Sequence, residues 1–156
     1  MADARQILKV LRDELALQTR HCKLLEAQEQ ALLACDRARF FRLQEEHADM
    51  LAALEAQDAA RRAALTDDAG GPLTLSALKE AAPAPALRGL PALEDGLRPT
   101  LERVQTLTRR NKTLIQNQLD YLAFTLDLFL EAGRSADNGY GGAGRHTGRL
   151  LLDRRA

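Results

Sequence analysis

The sequence predicts an all-α protein, and three observations support that fold class. Hydrophobic residues make up 46% of the 156 residues, and most are Leu and Ala, which are strong helix formers. Hydrophobic positions recur every three or four residues, the period of an amphipathic helix, and no Gly or Pro interrupts the first long stretch. We therefore expect an elongated antiparallel helical hairpin or bundle. It would contain two long N-terminal helices, a short connector helix, one long C-terminal helix and a flexible tail.

The first long helix is expected over residues 5–34. Steps of three and four residues from Leu8 give a stripe in which six of eight positions are apolar. The positions between them are mostly charged residues or amides, so the stripe is narrow, as in a helix of a coiled-coil-like hairpin. The stripe consists of Leu8, Leu11, Leu15, Gln18, Cys22, Leu25, Glu29 and Leu32.

A second helix is expected to follow with little or no break. Asp36 is a suitable N-cap, because its carboxylate can accept from the free N–H groups of a first turn. The three-four step continues to Leu54, and Gly70, Gly71 and Pro72 end the pattern. The junction at Asp36 contains no Gly, Pro or Asn, so one very long helix is an open alternative. The second stripe consists of Phe40, Leu43, His47, Met50 and Leu54.

The remaining elements are a short connector helix and a long last helix. Thr74 is expected to cap a helical turn that contains Leu78, and an Ala/Pro-rich connector follows. The last helix begins at Pro91 or at Pro99, because proline is favoured in a first helical turn. It is expected to end at Gly133 as a C′ residue. The predicted domains are a helical domain, residues 1–133, and a flexible Gly-rich tail, residues 134–156.

The last helix has more apolar surface than one contact can use. At about 100° per residue its apolar positions form two nearly opposite stripes. A hairpin partner can bury the first, and the second must find another surface. The second stripe therefore predicts a partner-binding face, formed by Leu114, Tyr121, Phe124 and Leu128. Two alternatives remain open, burial of both stripes within a three- or four-helix bundle and a homodimer. The first stripe consists of Ile115, Leu119, Leu122, Leu126 and Phe129.

Charge and targeting signals limit the classes of partner. Lys plus Arg and Asp plus Glu each number 22, so the formal net charge is zero, and nothing in it predicts binding to nucleic acid or to an anionic membrane. The N-terminus has no apolar core of a secretory signal, and no apolar run is long enough for stable membrane insertion. Cys22 and Cys35 have no nearby cysteine. They are expected to be small core or boundary residues of a reduced, cytoplasmic protein.

The sequence contains no pattern of catalytic, metal-binding or cofactor-binding residues. The Cys/His spacing matches no zinc site, and no Gly-rich loop lies between a strand and a helix. We therefore expect a protein that is not an enzyme and binds no cofactor. One rival interpretation is a histidine phosphotransfer bundle with His21 or His47 as acceptor, although neither has the neighbours that role requires. Another is a structural coiled-coil oligomer without cargo.

Two motifs resemble one family. The first, Asn111-Lys112-Thr113-Leu114-Ile115, lies in the last helix, and the second, Tyr140-Gly141-Gly142-Ala143-Gly144, follows it. Their order and spacing, after a long helix pair and a Pro-rich connector, resemble the FlgN family of flagellar export chaperones over essentially the whole chain. Asn111, Leu114 and Ile115 match the second half of the family's Asn-x-x-Asn-x-x-Leu-Leu-like motif, but Thr108 stands where its first Asn would be.

The resemblance implies a cytoplasmic chaperone for the hook–filament junction proteins of the bacterial flagellum. Such a chaperone binds the aggregation-prone terminal helices of its cargo and delivers the cargo to the type III export gate. By this resemblance, the apolar face of the last helix binds cargo. Tyr140, Gly141 and Gly144 are candidates for contact with the gate.

Overall fold

The computed structural model describes residues 4–66, 71, 74–81 and 87–137. Four α-helices account for the elements of these residues: α1 (Ala4–Leu33), α2 (Arg37–Ala64), α3 (Leu75–Ala81) and α4 (Leu90–Asp137). The predicted all-α fold is thereby confirmed. The described residues divide into two compact units, a first unit up to residue 116 and a second unit from residue 117, and helix α4 contributes to both.

A tight turn separates α1 from α2, so the alternative of one very long helix is wrong. The Asp36 N–H donates to the Ala31 carbonyl and the Cys35 N–H donates to the Leu32 carbonyl, which together form a Schellman motif. Cys35 occupies the C′ position with a φ of 53°, where glycine is usual. Asp36 then caps α2 by accepting a 3.0 Å hydrogen bond from the Arg39 N–H, as its side chain predicted.

Helices α1 and α2 run antiparallel, and side chains from each reach the backbone of the other. Gln57 Nε2 donates to the Val10 carbonyl over 2.7 Å near the start of α1. Gln28 Nε2 donates to the Leu43 carbonyl over 3.2 Å near its end. The start of α1 therefore lies beside the end of α2, and the end of α1 lies beside the start of α2. This is the antiparallel hairpin that the sequence predicted.

Helix α4 runs alongside α1 in the same direction. Leu8, near the start of α1, shares a core cluster with Leu90 and Leu93 at the start of α4. Further along both helices, Leu25 packs against Leu107. Since α1 has neighbours on two sides, it is the central helix of the first unit. Among the described residues α1 buries twelve, whereas α2 buries Met50 alone.

Small and charged residues adjust the contact between α1 and α4. A Cβ on Gly96 would lie 3.0 Å from Leu15 Cδ2, so the missing side chain lets the two helices approach closely. Arg103 Nε donates to Glu26 Oε1 over 2.8 Å at the solvent edge of the same contact. An exposed pair of this kind fixes the register more than it stabilises the fold.

Helix α3 closes one end of the first unit. Thr74 Oγ1 accepts a 3.1 Å hydrogen bond from the Ala77 N–H, which confirms the predicted cap. Leu78 is buried in the cluster that joins α1 to the start of α4. Lys79 Nζ lies 2.8 Å from Glu94 Oε2, so α3 is also linked to α4 by charge.

The start of α4 settles one alternative, since the helix begins at Leu90 and places Pro91 in its first turn. Gly89 precedes it with a φ of 95°, a left-handed conformation that favours glycine. Pro99 lies inside the helix and has no N–H to give to the Asp95 carbonyl. Thr100 Oγ1 donates to the adjacent Gly96 carbonyl over 2.7 Å.

Two local predictions are wrong. Helix α4 continues through Gly133 to Asp137, because a helical glycine costs only about 1 kcal/mol relative to alanine and the residues around it do not oppose a helix. Cys35 is neither core nor boundary but an exposed turn residue, whereas Cys22 is buried as expected. The boundary between a helical domain and a tail at residues 133 and 134 stays a prediction.

Candidate functional site

The 117–134 segment of α4, in the second unit, carries eight large apolar side chains, and all of them are exposed. Within the predicted partner-binding face, Tyr121 is 68% exposed, Phe124 60% and Leu128 50%. The alternative in which the chain's own helices bury both stripes is therefore wrong. The exposed side chains are Leu119, Tyr121, Leu122, Phe124, Leu126, Leu128, Phe129 and Leu130.

The first stripe was expected to pack within a hairpin, and from Leu119 onward it does not. Phe129, a member of that stripe, is 72% exposed. The reason is a difference in helix length, since α1 has 30 residues and α4 has 48. Leu33, the last residue of α1, lines a shallow pocket with Thr113 and Leu114, so α1 ends level with this part of α4. The comparison of helix lengths was the signal that could have predicted this exposure.

The composition of the 117–134 segment makes it a strong candidate for binding another protein. Fully burying a Leu or Phe side chain contributes roughly 1.5–3 kcal/mol. Soluble proteins rarely expose contiguous apolar patches of more than a few hundred Å² unless the patch binds something. The aromatic side chains of this segment belong to the type that most often anchors protein interfaces. The chemistry of this surface suits packing against an apolar helix.

Asn111, the motif asparagine, has a structural position. It is 5% exposed, and its Nδ2 donates to the Leu25 carbonyl over 2.9 Å. A buried amide bonded to a neighbouring helix fixes the register of the two helices. Leu114 and Ile115, which follow it in the motif, are half-buried. The motif thus lies where α4 leaves the core contact with α1 and precedes the exposed segment.

The two helical histidines form a pair between α1 and α2. His21 Nε2 lies 3.0 Å from His47 Nε2, and the ring centroids are 5.1 Å apart. Burial, and then the neighbouring His47, lowers the pKa of His21 below its ordinary value, and burial lowers the pKa of His47. His21 is 7% exposed, and the Nε2 of the half-buried His47 is in contact with His21, so neither ring presents a free Nε2 to a phosphate donor. The phosphotransfer interpretation has no support in this geometry.

Other kinds of site are not found in the part of the chain that the structure describes. Its His, Cys, Asp and Glu residues form no group of three or more that suits a metal ion. None of its helices has the length and hydropathy that a membrane span requires. The predicted gate-contact residues Tyr140, Gly141 and Gly144 lie outside the described residues.

Comparison with known proteins gives one match. No curated protein and no solved structure matches the chain. The model of the FlgN protein family matches residues 1–148, which is nearly all of the 156 residues. The match confirms the resemblance that the two motifs predicted, and the chain belongs to the FlgN family.

Proposed function

We propose that this chain is a cytosolic export chaperone for flagellar hook–filament junction proteins. It binds their terminal helices, prevents their aggregation and delivers them to the type III export gate. Membership of the FlgN family implies a flagellar export chaperone in general, and the cargo and the delivery step are the proposal. The chaperone acts by binding alone, without catalysis or a cofactor.

The observation that carries the proposal is the exposure of the 117–134 segment. An amphipathic helix of the cargo can pack along it and be shielded from water, while the chaperone's own apolar side chains are shielded in turn. Tyr121, Phe124 and Leu128, together with the half-buried Leu114, are the proposed cargo contacts. Aromatic side chains at 60% exposure or more supply the anchors that such an interface needs.

Delivery to the gate is assigned to the second motif. Tyr140, Gly141 and Gly144 follow the cargo-binding helix in the sequence, so they remain separate from the proposed cargo contacts along the chain. This assignment rests on the family motif. It predicts that cargo binding and delivery can be separated by mutation.

Co-purification with candidate junction proteins tests the proposal. Tyr121→Ala/Phe124→Ala is expected to lose cargo, because it removes two exposed anchors. Phe41→Ala is the control, since this side chain is 67% exposed but lies outside the segment and outside the pocket that Leu33 shares with Leu114. The control should keep cargo. Tyr140→Ala should keep cargo and slow its export.

The rival interpretation is a structural coiled-coil oligomer without cargo, in which further copies of the chain cover the same apolar segment. Sedimentation of the purified chain, alone and with a junction protein, separates the two. A chaperone gives a heteromeric complex that Tyr121→Ala/Phe124→Ala abolishes. A constitutive oligomer that never includes the junction protein would contradict the proposal, and so would equal cargo binding by the variant and its control.

A further inference from the structure

A groove in the first unit lies between α2 and α4, with α1 as its floor. Its volume is about 440 Å³. Along α2 it extends from Leu51 to Arg61, which at 1.5 Å per residue is about 15 Å, or about three helical turns. Three helices that leave one side of the central helix open have the geometry of a bundle that lacks one helix. We call this feature the α2–α4 groove.

One end of the α2–α4 groove is apolar. Leu51 and Leu54 line it from α2, and Leu101 and Val104 line it from α4. Leu51 is 48% exposed and Leu101 is 37% exposed, whereas the other two are half-buried. In each pair the residues are three apart, so both helices present an apolar edge to the same space. Such paired edges suit the apolar face of another helix.

The floor of the groove is polar and carries atoms without a hydrogen-bond partner. Glu14, Gln18 and His21 line it from one face of α1. Glu14 is 9% exposed and His21 is 7% exposed. Glu14 Oε2, Gln18 Oε1 and His21 Nδ1 are buried and accept no hydrogen bond from any described residue. The Gln18 oxygen can only accept a hydrogen bond, and so can the Glu14 oxygen while that carboxyl is ionised. A hydrogen-bond donor from outside would therefore satisfy both atoms.

The charges of the lining point to a cation. Glu14, Glu55 and Asp58 line the groove with Arg61, and Asp58 is also paired with Arg62, so the carboxylates still outnumber the guanidinium groups by one. Arg61 is largely committed to Asp58, with which it forms a hydrogen bond, and its Nε remains 3.4 Å from Glu14 Oε2 without a hydrogen bond. A lysine or arginine from outside can supply both the positive charge and the missing donors.

The same charges argue against a second copy of the chain as the occupant. The exposed 117–134 segment, its most apolar helix surface, carries Asp120, Asp127 and Glu131 against Arg134. Both this segment and the groove carry an excess of negative charge, and the repulsion between like charges opposes their association.

We propose that the α2–α4 groove binds an amphipathic helix of a partner protein. That helix places aliphatic side chains between Leu51 and Leu101 and a lysine or arginine over Glu14 and Gln18. This site belongs entirely to the first unit and is independent of the proposed cargo contacts. The protein therefore has a second helix-binding surface. The α2–α4 groove favours a helix with a positive charge, whereas the 117–134 segment favours a helix with a large apolar face.

The probe is a labelled synthetic helical peptide with two leucines three residues apart and one lysine. The lysine stands three or four residues before or after the leucines, because Glu14 and Gln18 lie level with Leu51 and Leu54 between the Val10–Gln57 and His21–His47 contacts, and because the groove can accept either helix direction. A counterpart peptide has glutamate in place of lysine. Fluorescence anisotropy with the full chain should show the lysine peptide binding at least tenfold more tightly. The difference should shrink at high salt, which screens partly exposed charges.

Two variants locate the binding. Leu101→Asp should weaken the lysine peptide at least tenfold, and Glu14→Gln should reduce its advantage over the glutamate peptide. Phe41→Asp is the matched control, because Phe41 is 67% exposed on α2 and does not line the groove. It should bind as the unchanged chain does. Circular dichroism melting of each variant checks that the fold is retained.

Three outcomes would overturn the proposal. The first is equal affinity for the lysine and glutamate peptides, and the second is unchanged binding by a folded Leu101→Asp. The third is self-association of the unchanged chain that Leu101→Asp abolishes, since a second copy would then occupy the groove.

Discussion

Residues 90–116 and residues 117–137 belong to one helix, yet their apolar side chains have different surroundings. In the first part, Leu107 is 2% exposed and packs against Leu25 of α1. In the second part, Leu126 is 59% exposed although its local sequence is more apolar. Periodicity therefore predicts which face of a helix is apolar, whereas the length of the neighbouring helix decides how much of that face is covered.

The largest expected difference between the two parts is in the cost of removing a leucine. Leu107→Ala should destabilise the fold by about 2–5 kcal/mol, because it leaves a cavity in a packed core. Leu126→Ala should change the free energy of unfolding by no more than about 0.5 kcal/mol, since its side chain is already in water. Urea denaturation followed by circular dichroism measures both. Equal losses of stability for Leu107→Ala and Leu126→Ala would contradict the difference in burial between the two parts of α4.

The motif asparagine should give the next largest effect. Asn111→Ala removes the donor that gives the Leu25 carbonyl a hydrogen bond beside its intrahelical one, and the net loss of one hydrogen bond costs about 0.5–1.5 kcal/mol. Asn117→Ala, six residues later on the exposed part, is the control and should be close to neutral. Thermal melts of both variants test the assignment. If Asn111→Ala melts with the unchanged protein but loses cargo, the asparagine has a binding role instead.

Glycines in the two parts offer a matched pair of substitutions. Alanine is favoured over glycine inside a helix by about 1 kcal/mol. At Gly133 nothing lies within 4 Å of an added Cβ, so Gly133→Ala should increase helix content without any penalty. At Gly96 an added Cβ would lie 3.0 Å from Leu15 Cδ2, and this close contact offsets the gain in helix propensity. The larger side chain of Gly96→Val should therefore destabilise the fold. Hydrogen exchange of each part measures the local change, and a stabilising Gly96→Val would contradict the close approach of α1 and α4.

The smallest effect expected is a pH dependence confined to the first unit. The pKa values of His21 and His47 are lowered below 6.5, so the unfolded chain binds protons first as the pH falls. Stability present above pH 6.5 should therefore be lost as the pH falls below that value. Burial raises the pKa of Glu14 above 4.5, which acts in the opposite direction at the acidic end of this range.

Chemical denaturation between pH 5 and pH 8 isolates the histidine contribution when the protein is compared with His21→Gln/His47→Gln. The variant should show a flatter profile over that range. An identical slope in the two proteins would show that the histidine pair does not titrate with folding. Cargo binding by the 117–134 segment, which contains no histidine, should not follow this profile.

Much of the fold could be predicted because its signals are local. The helix bounds near Leu33, Ala64 and Thr74 follow from stripes and caps that lie within a few residues of each other. The turn after α1 could not be settled, because Cys35 takes a left-handed conformation for which glycine is the usual signal. The predicted helix end at Gly133 was wrong for a different reason, since glycine permits a helix to end but does not require it.

The candidate site was predicted in part. Tyr121, Phe124 and Leu128 were expected to face a partner, and they are exposed. The exposure of Leu119 and Phe129 was missed, because their pattern is the same whether or not a neighbouring helix covers them. The α2–α4 groove could not be predicted from the sequence, since its lining runs from Glu14 to Gln105 and combines residues from three separate helices.

Hydrogen exchange of the full chain, with and without a junction protein, is the decisive test of cargo binding by the 117–134 segment. Exchange across residues 117–134 is expected to be fast in the free chain, because no buried side chain shields this part of α4. The same residues should be strongly protected once the cargo is bound. Slow exchange in the free chain, or cargo-dependent protection found only in residues 4–116, would contradict cargo binding by this segment.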